Sequence, residues 1–160
     1  MKKLTATVYA FFALYLACTA AQAQSLGMHM LEDIHIQDAG QCVSINVSFA
    51  LPVRYVRHSP QIPGREVVIQ VAPIAISASD NTALFSRETL SHPQTDGLPL
   101  QSVSYENDGG TYPLLTLTFN RVVWFAVSQG RDFRSIDILV GEPDTGPSCI
   151  DKSNATELPR

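Results

Sequence analysis

The chain has 160 residues, 45% hydrophobic and 16% charged, with three cysteines and 10 prolines. That length supports one domain with a real core, not two independent ones. Basic residues number 11 against 15 acidic, and loss of Lys2 and Lys3 with the leader described next leaves 9 against 15, a net charge of −6. The balance disfavours nucleic acid and broad adhesion to anionic membranes, both of which draw on a surplus of Lys and Arg.

Residues 1–23 read as an export signal, with Lys2 and Lys3 ahead of an apolar run at 8–17 and a small-residue cleavage site at Ala21-Gln22-Ala23. The ten apolar residues of that run are too few to span a bilayer, which takes about 20. Cleavage after Ala23 would deliver a soluble periplasmic protein beginning at Gln24. Tyr15-Leu16-Ala17-Cys18 loosely resembles a lipoprotein box acylated at Cys18, but Tyr15 stands where an aliphatic residue is expected. Soluble export is the reading taken.

After a patternless lead-in at 24–30, one hydrophobic pattern occurs twice, over 31–71 and again over 100–140. Leu31, Ile34 and Gly40 match Leu100, Val103 and Gly109 at an offset of 69. Phe49 and Val53 match Phe119 and Val123 at 70, and Arg65, Ile69 and Val71 match Arg134, Ile138 and Val140 at 69 again. Two one-residue length changes therefore separate the copies, both in loop-like sequence. Each copy alternates apolar and polar residues, as in Val43-Ser44-Ile45-Asn46-Val47-Ser48-Phe49, which predicts half-buried strands.

The first unit predicts strands at 31–37, 43–49, 53–57 and 66–71, with Pro52 marking the turn into the third. The second predicts 101–106, 114–120, 122–127 and 135–140, with Asp108-Gly109-Gly110 as its first turn. Between them the connector 72–99 is rich in turn residues, and residues 79–90 predict a short helix capped by Asp80. Past residue 149 the chain is expected to be a tail.

Each unit exposes one apolar face, and the simplest way to bury both is to pack them together. The expected fold is all-β: a sandwich of two pseudo-symmetric four-stranded sheets with one short connector helix. Once Cys18 leaves with the signal, Cys42 and Cys149 remain, an even pair that reads as a disulfide in an exported chain. It would close a loop of roughly 100 residues and contribute on the order of 4–5 kcal/mol in the chain-entropy model. A metal pair or a reactive thiol are the alternatives, and neither has partner ligands nearby in sequence.

The order of strand, Gly turn, strictly alternating strand, strand with a central aromatic, then a basic residue leading into a strong strand resembles the AMIN domain. Val43 to Phe49, Pro52-Val53-Arg54-Tyr55-Val56 and Arg65-Glu66-Val67-Val68-Ile69-Gln70-Val71 look like one half of it. Residues 115–119, 123–127 and 134–140 look like the other. The resemblance covers 31–140 and rests on pattern and symmetry. It implies two symmetric four-stranded sheets and a bacterial envelope module that targets peptidoglycan or division sites. It does not require Cys42 and Cys149, and no amidase or secretin domain follows, so the module is expected to act by itself or through a partner.

No catalytic signature is present: no Gly-x-Ser-x-Gly elbow, no His-Glu-x-x-His, no phosphate loop. His29 and His35 flank Glu32 and Asp33, and Met28-His29-Met30 has soft donors, but surface residues without a metal are expected. No cofactor, metal or enzymatic activity is predicted. Alternation turns Trp124 outward, beside its neighbours Val122 and Ala126, where it would stack a sugar or grip a peptide, unless Leu84 or Phe85 of the connector helix covers it. Arg57 and Arg65 flank one loop and Arg131 and Arg134 the matching one, while Arg54 is the repeat partner of Trp124. Their guanidinium forks would hold carboxylates of wall peptides or of a partner protein, against the bland reading of solvated surface charge. The expected function is non-enzymatic binding of peptidoglycan or a wall-associated partner. The alternative is an interaction subunit of a secretion or division assembly, engaged through a free strand edge without direct wall binding.

Overall fold

A computed structural model describes residues 29–61, 63–74, 84–91 and 98–142. The expected signal peptide with Cys18, residues 24–28 of the lead-in, connector residues 75–83 and 92–97, and the expected tail with Cys149 lie outside the described residues.

The described residues form eight strands: β1 (Leu31–Asp38), β2 (Cys42–Phe49), β3 (Val53–Ser59), β4 (Gly64–Pro73), β5 (Arg87–Leu90), β6 (Leu100–Glu106), β7 (Leu114–Gln129) and β8 (Ser135–Gly141). All pair antiparallel in one sheet ordered β1-β2-β8-β7-β4-β3, with β6 also on β7 and β5 outside β6. The all-β expectation holds. Among these residues no helix is long and apolar enough to cross a membrane.

Two expectations change. The strands expected at 114–120 and 122–127 are one, the 16-residue β7. Its middle, Asn120-Arg121-Val122, aligns with Ala50-Leu51-Pro52, where the first unit breaks between β2 and β3. Proline lacks the N–H a ladder needs and fixes φ, whereas Val122 continues the strand. The connector helix expected at 79–90 is not what residues 87–90 form; they are β5, paired to β6 from Arg87↔Glu106 to Leu90↔Val103. The outer edge of β6 offers backbone groups that must be paired, and β5 supplies them.

The repeat is visible in the pairing itself. Leu31 faces Phe49 and Leu100 faces Phe119, and each pairing is followed by an irregularity, at Leu31/Asp33 and Leu100/Ser102. Ile45 faces Ile138 across β2 and β8, as Leu115 faces Ile69 across β7 and β4. Ala50 donates to the Met30 carbonyl at 2.9 Å, and Asn120 to that of Pro99 at 2.8 Å. Gly40 and Gly109 both sit at positive φ, 81° and 86°, with Asp38 and Asn107 each accepting from that glycine's N–H. Glycine adopts that conformation without steric cost.

The consequence is an exchange: strands of one unit complete the ladder of the other. The first half of β7 lies between β4 and β6, and its second half pairs with β8, which in turn pairs with β2. A single hydrophobic core forms from both units, with Phe49 meeting Tyr105 edge-on at 6.4 Å. Fully burying an aliphatic or aromatic side chain is worth about 1.5–3 kcal/mol, so the alternating faces supply the main driving force.

Tyr105 also ties the connector down, its hydroxyl donating to the Leu84 carbonyl at 3.1 Å. Burial, and then the nearby Glu88 charge, push its pKa up to about 12. Glu88, whose side chain is 9% exposed, reaches from β5 to the start of β1 and accepts from the N–H groups of Met30 and Leu31 at 2.7 and 2.8 Å. The Ser86 hydroxyl donates to the same carboxylate. Two amides beside buried Met30 and Leu31 thus depend on one side chain. Replacing Glu88 by Leu should cost roughly 2–3 kcal/mol, read as a lower urea midpoint with unchanged slope.

Candidate functional site

The predicted surface residues fall at two separate hairpin ends and on the strands between them. Arg54 and Arg57 lie on β3, opposite Ala72 and Gln70, and Arg65 lies on β4; all three are exposed. Arg131 and Arg134 lie in the turn between β7 and β8, also exposed. Each turn docks on the other unit. The Phe133 carbonyl accepts from Val53 N–H at 2.7 Å, and Gly64 faces Val123. Arg134 is partly committed to structure: its guanidinium donates to the Ala50 carbonyl and its N–H to Asp132. That N–H, followed by the Ser135 hydroxyl, holds the Asp132 carboxyl below its usual range.

Trp124 on β7 faces Gly141 on β8 and is half-buried; its side is the outward one, since Val123 and Phe125 are buried. It is not without a partner. Of the two residues expected to cover it, Phe85 is 63% exposed and Leu84 is buried in the core. His29 and His35 diverge, the first 4.0 Å from Glu88 and the second 3.3 Å from Asp33. Among the described residues no group of three or more His, Cys, Asp or Glu is placed to hold a metal ion.

The arginine that the fold singles out is Arg57. Strict alternation from Tyr55 would turn it inward, but β3 carries an irregularity between Tyr55 and Arg57 that leaves Val56 without a cross-strand partner. The bulge absorbs the extra residue of the first unit. It turns Arg57 outward beside Gln70, and His58 inward against Phe125, ring centroids 6.0 Å apart. The equivalent stretch of β7 pairs without interruption from Phe125↔Val140 to Val127↔Ile138.

Arg57 Nε donates to Gln70 Oε1 at 2.9 Å, which restrains the guanidinium plane without using its terminal nitrogens. Beside it lies a concavity of about 530 Å³, bordered by Val56, Arg57, Gln70 and Leu114 from the strands and by Asp108, Gly110, Thr111 and Tyr112 from the turn between β6 and β7. That turn carries the other one-residue insertion, since five residues separate Gly109 from Leu115 where four separate Gly40 from Ile45. Both places where the repeat is broken therefore border one concavity. Gln70, Asp108 and Tyr112 are not singled out by the sequence; the two length changes are the signal that could find them, although the one at Val56 falls within β3 and not in loop-like sequence as expected. A second hollow of about 310 Å³ shares Arg57 and Gln70 and adds His58, Ser59 and Val68.

The free edge of β3 is closed by side chains. Tyr55 N–H donates to Gln129 Oε1 at 2.6 Å, while Gln129 Nε2 donates to the carbonyls of Val53 and Ser135 at 3.2 and 3.1 Å. Further along, Gln61 Nε2 donates to the His58 carbonyl at 2.6 Å. A primary amide bonded in this way takes the place of a peptide group in a neighbouring strand.

Compared with protein-family models, curated proteins and solved structures, the chain matches none.

His58 gives this region a pH dependence. Its Nδ1 lies 2.7 Å from the Tyr55 hydroxyl, and burial lowers its pKa below 6.5. Burial also raises the pKa of Tyr55, so the hydroxyl is the donor and Nδ1 the acceptor at neutral pH. The unfolded chain accepts a proton more readily than the folded one. Stability contributed by neutral His58 is thus fully present above about 6.5 and is lost as pH falls below it. His58→Phe should flatten the decline in melting temperature between about pH 7 and pH 5; an unchanged slope would count against this role.

Proposed function

We propose that this chain is an exported, non-enzymatic, AMIN-like module of the bacterial envelope that binds peptidoglycan or a wall-associated partner through the concavity at Arg57. One observation carries the reading: two insertions nearly 55 residues apart in sequence, Val56 and the 110–112 segment, border the same hollow. A duplicated β scaffold supplies matched, core-forming positions, and the unmatched ones converge where a ligand would sit. Arg57 presents a planar, pre-oriented donor pair suited to a carboxylate, and Tyr112, 38% exposed, offers a ring for a sugar or peptide stem.

The family part of the reading is supported by the exchanged pairing. β1 and β2 are continued by β8 and the second half of β7, and β6 and the first half of β7 by β4 and β3. The two ladders meet in β7 within one eight-stranded sheet, and β5 on β6 makes the second ladder five strands, so the support lies in the matched pairing and not in two separate four-stranded layers. Periplasmic location rests on the leader at 1–23. A Cys42–Cys149 disulfide fits the same compartment: Cys42 is buried and faces Gly141, eight residues before Cys149. The alternative, recruitment of a partner by strand addition, meets a β3 edge already occupied by Gln129 and Gln61.

Sedimentation of the mature protein with purified sacculi tests the proposal. Wild type should pellet, and the double variant Arg57→Ala, Tyr112→Ala should lose about tenfold in affinity while keeping its melting temperature. Wild-type protein that stays in the supernatant would overturn wall binding.

A further inference from the structure

The concavity is bordered by two opposite charges that do not meet. Arg57 and Asp108 are both exposed and both line it. Neither belongs to an ion pair among the described residues, although Arg87 with Glu106 and Arg121 with Glu142 do pair on the same molecule. Local hydrogen bonds hold the two apart. Arg57 is held to Gln70 through Nε, and Asp108 is held to its own turn by accepting from Gly110 N–H through Oδ1 at 3.1 Å. What remains free is the guanidinium end of one and Oδ2 of the other.

We propose that this hollow takes a zwitterionic group, its carboxylate on the Arg57 fork and its ammonium on Asp108. A purely anionic ligand would be opposed by Asp108 and a purely cationic one by Arg57, whereas a small dipolar group satisfies both at once. The guanidinium end is planar and offers two parallel donors, the geometry a carboxylate accepts. Val56 and Leu114, both half-buried, and the Tyr112 ring give the body of such a ligand apolar contact. The ligand class is a free amino acid or a short peptide with both ends free. This deepens the wall-binding reading and rests on it for where the ligand is met, but not for the charge pattern.

The test is an amide-resolved NMR titration of the whole mature chain with D-alanyl-D-alanine, its N-acetyl form and its C-terminal amide. The free dipeptide should shift the amides of Gln70, Gly110 and Leu114, and blocking either end should weaken binding about tenfold. Arg57→Gln should abolish the preference for a free carboxylate, so that the free dipeptide and its amide bind alike. Asp108→Asn should abolish the preference for a free amine, so that the free and N-acetyl forms bind alike. Blocked forms that bind as well as the free dipeptide, or no shift at these amides, would overturn the proposal. If such a result accompanied Arg57-dependent pelleting with sacculi, wall binding would stand and the zwitterion would fall. Dipeptide binding without pelleting would give the reverse.

Discussion

Everything in this fold depends on one strand serving two ladders. The 16-residue β7 lies between β4 and β6 along its first half and against β8 along its second. Neither repeat unit is complete without the other, because the two strands opposite Leu115 and Val127 belong to different units and different ladders. Small sheets with one apolar face are not stable alone, and the exchange buries both faces in one core. It also explains why β7 must be unbroken where the first unit has Pro52. A chain interruption in both units would leave the two ladders without a shared strand.

The sheet still has edges, and side chains cover parts of two of them. Glu88 takes the amides at the start of β1, and Gln129 takes Tyr55 N–H and Val53 C=O on β3. Neither has a counterpart in the repeat: beyond the bulge Gln129 aligns with Pro60, which carries no side-chain amide, and Glu88 belongs to the connector. Open edges invite pairing with other chains, so symmetry-breaking residues do here what a ninth or tenth strand would otherwise do. The same logic governs the candidate site. Val56 and the longer β6–β7 turn break the symmetry, and the surface they border is where Arg57 and Asp108 face solvent without meeting.

Much of this was readable in advance, for a definite reason. Alternation at 43–49 and 115–119 reports which side chains face inward, because successive residues on a strand point to opposite faces. The buried positions Ile45, Val47, Phe49, Leu115, Leu117 and Phe119 follow it. Gly40 and Gly109 marked turns because a left-handed residue suits little else. Residues 87–90 form β5 where the sequence predicts helix, because four residues carry too little periodicity to outweigh a nearby cap. Arg57 was selected by its charge, but its outward aim depends on a bulge whose position alternation cannot give.

The sequence by itself determined most strands of the two units, most of their inward faces and the equivalence of the units, since these follow from local periodicity and from the repeat. Only the tertiary structure decided which strands exchange, that β7 runs through, that Glu88 and Gln129 cover parts of two edges, and that Val56, Gln70, Asp108 and Tyr112 share one hollow. The physical reason is register. A one-residue insertion is only a length difference in the chain. It acquires a direction, and with it a partner across the surface, once long-range pairing fixes which residue stands opposite which.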